Sequence, residues 1–81
     1  MSYTSQNLAE LKVLMLYSSP TGLEGIKVHK SADPELIEAA QHLYDEGFIS
    51  QVDGGYLTQL GIEAAEHAHS LFYLLNSGSE Q

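Results

Sequence analysis

The chain has 81 residues, 43% of them hydrophobic, with two Phe, five Tyr and no Trp, which is enough apolar side chain for one core and too much for a disordered chain. Cysteine is absent, which excludes disulfides, thiolate metal sites and cysteine nucleophiles. Eleven acidic residues against three basic ones give a net charge of -8 and argue against anionic partners, since affinity for nucleic acid comes largely from Lys and Arg displacing condensed counterions.

The first helix is expected to start at Thr4 or Ser5. With Thr4 as N-cap, Tyr3 and Leu8 occupy the positions of a hydrophobic staple. Leu8, Leu11 and Leu14 or Met15 then share a face, and the run VLMLY at 13–17 widens it until nearly every side is apolar. The end of this helix therefore requires deep burial or a partner. Residues 18–25, SSPTGLEG, read as a turn or loop. In Ile26-Lys27-Val28-His29 apolar and polar residues alternate as in a half-buried edge strand, with Ile26 and Val28 inward.

Ser31-Ala32-Asp33-Pro34-Glu35 is a helix start: Asp33 can accept from exposed backbone N–H groups, Pro34 fits the first turn, and Glu35 suits the positive end of the dipole. The second helix is expected from Pro34 to Glu46, with Leu36, Ile37, Ala40, Leu43 and Tyr44 as its apolar stripe and Gly47 as its left-handed stop. Phe48 and Ile49 fold back into the core. Ile49 to Val52 and Tyr56 to Thr58 flank Asp53-Gly54-Gly55, a hairpin signal. Thr58 is the expected cap of a third helix. There Ala64, Ala65, Ala68, Phe72 and Leu75 recur at helical spacing, the alanines for close approach and the large residues to fill space. Gly61 in its first turn costs about 1 kcal/mol relative to Ala and so implies a crowded contact with the hairpin or the first helix. The tail at 76–81, NSGSEQ, is expected to fray.

The order α-β-α-β-β-α predicts one α+β domain over residues 1–81, with its ordered core at 4–75 and a small antiparallel sheet. That order, with LYDEGFI leading into a Gly-Gly hairpin and then YLTQLG, resembles winged-helix domains over residues 26–75. More narrowly, GIKVHKSADPELIEAAQHLYDEGFISQVDGGYLTQLGIEAAEHA resembles a small family of short bacterial proteins of unknown role that carry a provisional DNA-binding label. The resemblance implies contact with the DNA backbone from Lys27, His29, Lys30 and the wing around Gly54 and Tyr56. With the second helix in the recognition position, Gln41 and His42 would reach base edges.

The residues themselves favour another partner. A helix-turn-helix needs a positioning helix before the recognition helix, and residues 18–32 hold no amphipathic pattern for one. Glu35, Glu38, Asp45 and Glu46 would face the phosphates. Their bland reading is the solvated face of an amphipathic helix; a protein-docking surface of Glu35, Glu38, His42 and Asp45 is the functional alternative. Lys27, His29 and Lys30 are read first as protection of an edge strand, because outward Lys blunts edge-to-edge pairing.

No metal site, cofactor or catalytic residue is expected. His67 and His69 are two apart on a helix and point to different sides, and Glu63 with His67 lacks a third ligand. No Ser, Thr or Lys is placed as an activated nucleophile, and the glycines form no phosphate-cradling pattern. The longest apolar run, Val13 to Tyr17, is too short to span a bilayer, no signal peptide is evident, and a cytoplasmic location is expected. The expectation is a non-enzymatic, regulatory winged-helix-like module that works through a protein partner or a homodimer formed by helices one and three. DNA binding stands second, with no membrane and no small-molecule substrate.

Overall fold

The computed structural model describes residues 2–77, which form α1 Ser5–Leu14, β1 Gly25–Lys27, α2 Pro34–Asp45, β2 Ile49–Gln51, β3 Gly54–Leu57 and α3 Gln59–Ser77. The antiparallel sheet has the order β1-β3-β2, which leaves β1 and β2 as its edges. This is the predicted α+β, winged-helix-like topology. Of the expected tail, residues 78–81 lie outside the described residues, while Asn76 and Ser77 continue α3.

Local chemistry fixes the helix ends. Thr4 forms a capping box: its Oγ1 accepts from Asn7 N–H at 3.0 Å and its own N–H donates to Asn7 Oδ1 at 3.1 Å. At α2, Pro34 takes the first turn, but the Asp33 side chain makes no capping bond. The Asp33 carbonyl, which receives Leu36 N–H at 2.9 Å and Ile37 N–H at 3.1 Å, starts the helix instead. At its other end Phe48 N–H donates to Leu43 C=O at 2.9 Å and Gly47 N–H to Tyr44 C=O at 3.1 Å, with Gly47 at φ 86. That pair of bonds is a Schellman stop, the predicted role of Gly47. Thr58 caps α3, its Oγ1 accepting from Gly61 N–H at 3.1 Å and donating to the Gly47 carbonyl.

The core lies between the helices and one face of the sheet. Val13, Tyr17, Ala39, Ala40, Leu43, Ile49, Leu57, Ala65 and Ala68 are buried there, with Ile26, Ile37, Phe48 and Ile62 packed against it. Ile26 and Val28 face inward as predicted.

The three expected stripes hold except at Leu8, Tyr44, Phe72 and Leu75. On α1 the buried residues are Ala9, Val13 and Leu14, while Leu8 stays half exposed, because α1 turns the face of Ala9 and Val13 towards its neighbours. On α2 Ala39 takes the inward place expected for Tyr44, which is 44% exposed. On α3 Phe72 and Leu75 do not fill the core, since the helix outruns the body it packs on. The hairpin differs as well. Gly54 and Gly55 belong to β3 and the turn is Val52-Asp53; a Cβ at Gly54 would come within 2.5 Å of the Ile26 carbonyl, so these glycines let strands approach.

Candidate functional site

Sequence position alone puts Lys27, His29 and Lys30 near one another, but only the fold adds Gln41 to them. The segment from Val28 to Asp33, where a helix-turn-helix carries its first helix, is a single turn with Ala32 N–H donating to His29 C=O at 2.9 Å. No positioning helix forms between α1 and α2. The flank of α2 beside this turn therefore stays open. Lys27, His29, Lys30 and Gln41 line a groove of about 610 Å³ whose apolar wall is Val28, Ile37, Ala40 and Val52. Asp53 lies at the same groove, held by its carbonyl accepting from Val28 N–H at 2.7 Å.

The remaining expected DNA contacts lie elsewhere. His42 Nδ1 donates to the Glu10 carboxylate, which also accepts from Asn7 Nδ2 at 3.3 Å, so His42 fastens α2 to α1. Gly54 is buried under Ile26. Tyr56 is half exposed, its ring lying over Gly25 and its N–H donating to Ser50 Oγ at 2.9 Å. A wing closed by the two-residue turn Val52-Asp53 projects little beyond the sheet. Glu35, Glu38 and Asp45 are exposed along α2, as drawn for a docking stripe, and Glu35 and Glu38 border a shallow cleft with Ser5 and Gln6 of α1.

A second surface is apolar. Gly61, Ala65 and Ala68 are the buried residues of α3, and Phe72 and Leu75 continue their spacing of four and three. The body ends near His69, whose Nε2–H donates to the Tyr17 carbonyl at 2.9 Å. Beyond it Phe72, Tyr73, Leu74 and Leu75 are 56%, 70%, 66% and 68% exposed. No Asp, Glu, Lys or Arg occurs from His67 to Ser77. Sequence periodicity found Phe72 and Leu75 and gave them space to fill, because periodicity reports a face and not what covers it.

Tyr17 was not singled out by sequence, yet it joins the elements. It is fully buried, and its hydroxyl donates to the Gly55 carbonyl at 2.9 Å, tying the segment that follows α1 to β3. Burial first and the Glu24 carboxylate second push its phenol up from 10.0 to about 12. Glu24 itself is held below the usual range, first by the Ser18 hydroxyl and then by the Ser18 N–H, at 2.7 and 2.8 Å.

Among the described residues no three His, Asp or Glu side chains gather where they could hold a metal ion. No helix among them is long and apolar enough to cross a membrane. A family model described as a family of unknown function, DUF5669, matches residues 1–76. No curated protein and no solved structure matches the chain.

Proposed function

We propose that this chain, which belongs to the family of unknown function DUF5669, is a non-enzymatic binding module of a bacterial cytoplasm that acts through protein contact, beginning with self-association along α3. The observation that carries this reading is the inward stripe of α3 running on past the body as exposed Phe72 and Leu75. A helix that is apolar on all sides is ordinarily buried. At ~200 Å² per large side chain, residues 72–75 expose on the order of 500 Å² around the helix, and a second copy would cover the part of it on the Phe72 and Leu75 face. The stretch carries no Asp, Glu, Lys or Arg, so a second copy can meet it without bringing like charges together, and a two-fold contact is self-complementary.

The net charge makes this association distinctive. Each copy carries -8, so two copies repel over distances beyond the contact, and salt screens that repulsion. Sedimentation velocity is expected to show a dimer that strengthens as salt is raised, whereas a basic partner would be released by salt. Phe72→Asp and Leu75→Asp are expected to weaken the dimer by roughly tenfold or more each while leaving the circular dichroism spectrum unchanged, because both side chains are already in solvent in the single chain. A chain that stays monomeric at every concentration and salt would sink the self-association reading.

DNA binding is the second reading. It draws on the resemblance and on Lys27, His29, Lys30 and Gln41 meeting at one groove. Two lysines neutralise about two phosphates, which gives a salt slope near -2 and weak, sequence-blind attraction. Anisotropy with mixed duplex DNA tests it: sub-micromolar affinity that persists at physiological salt would place DNA first.

A further inference from the structure

The geometry points to the groove between β1, the turn before α2 and the hairpin as a binding site for a short acidic peptide that carries large apolar side chains. Two of the three basic residues of the chain, Lys27 and Lys30, stand at this groove, and both are exposed. In a chain of eleven carboxylates this is the one place where two lysines and a histidine border a common cavity among the described residues. The wall between them is apolar: Val28 and Ala40 are buried, Ile37 is partly buried and Val52 is half exposed.

These two features together select the ligand. The lysines call for carboxylate or phosphate. Ile37 and Val52 call for a hydrocarbon side chain, which a nucleic-acid backbone does not have. Glu38 and Asp45, exposed on the same helix, would also meet the phosphates of a duplex laid along α2. Asp53 also lines the groove, so the two lysines leave it one positive charge in excess, and a short peptide can place its carboxylates against Lys27 and Lys30 within the Debye length of about 8 Å, beyond which the rest of the acidic surface is largely screened. The cavity is of the size that holds several side chains, and it is open because the residues before α2 make a turn where a positioning helix would lie. This site is separate from the α3 surface, so peptide binding and self-association can fail independently.

The test is fluorescence anisotropy at physiological salt with the full chain. The probe is a fluorescein-labelled pool of short peptides randomised over Asp, Glu, Leu and Phe, run beside a pool with Lys replacing the acids and beside mixed duplex DNA. The acidic pool is expected to bind and the basic pool not. Lys27→Glu with Lys30→Glu should weaken acidic binding by at least roughly tenfold, and Val52→Ser, a change at an exposed turn, by several-fold without altering the melting curve. Sedimentation of Val52→Ser, which leaves the net charge as it is, should be unchanged. No binding of the acidic pool, binding that neither variant moves, or duplex binding tighter than peptide binding and lost with the two lysines would each overturn the proposal.

Discussion

Gly61→Ala is expected to destabilise the protein by about 3 kcal/mol, the reverse of the usual effect of replacing Gly by Ala in a helix. Ala is ordinarily the better helix former by about 1 kcal/mol. At Gly61, however, a Cβ would fall on the carbonyl oxygen of Phe48, far inside any contact distance, with Leu57 Cδ2 at 3.2 Å. That carbonyl cannot yield freely, since it accepts from Thr58 N–H at 3.0 Å, and Thr58 is the cap of the same helix. Moving α3 away would therefore break the cap and the joint between α2, β3 and α3 together. Gly47→Ala provides the contrast: its φ of 86 is unfavourable for a side chain, but nothing lies within 4 Å of a Cβ there. Its cost should be only about 1 kcal/mol. Urea unfolding of both variants checks the pair, and equal losses would refute the steric account of Gly61.

Alkaline pH is expected to unfold the protein through Tyr17. Its phenol titrates near 10.0 in the unfolded chain and at about 12 in the folded one. The folded state thus holds a proton that the unfolded state has released. Its contribution is complete below pH 10 and is lost as pH rises from there towards 12. That loss counts against the few kcal/mol by which so small a domain is stable. Tyr17→Phe should cost about 1.5 kcal/mol at neutral pH, because the buried Gly55 carbonyl loses its donor, and should flatten this part of the pH profile. Glu24→Gln should flatten it less, since the carboxylate is the smaller of the two causes. Unfolding free energies measured from neutral to alkaline pH decide the matter; a Tyr17→Phe profile as steep as that of the wild type would assign the transition to other groups.

What could be read from the sequence was local. Thr4, Pro34, Gly47 and Thr58 act within a few residues of themselves, through caps, a first-turn proline and a left-handed stop, so their roles were visible from residue type and spacing. The order of elements and the absence of a positioning helix followed from the same signals. The crowding at Gly61 was also implied, because a costly residue in a first turn needs a reason, although its partner, the Phe48 carbonyl, was not.

The tertiary structure alone decided which parts of each face are covered and which distant groups meet. Phe72 and Leu75 lie on the same side of α3 as Ala65 and Ala68, and only the extent of the body behind them makes one pair surface and the other core. Glu10 meets His42 across 32 positions, and Tyr17 meets Gly55 across 38; neither pairing leaves a periodic trace in the chain. Gln41 and Val52 join Lys27 and Lys30 at one groove for the same reason. A side chain's direction is fixed by its own helix or strand, whereas its neighbours are fixed by where every other element lies.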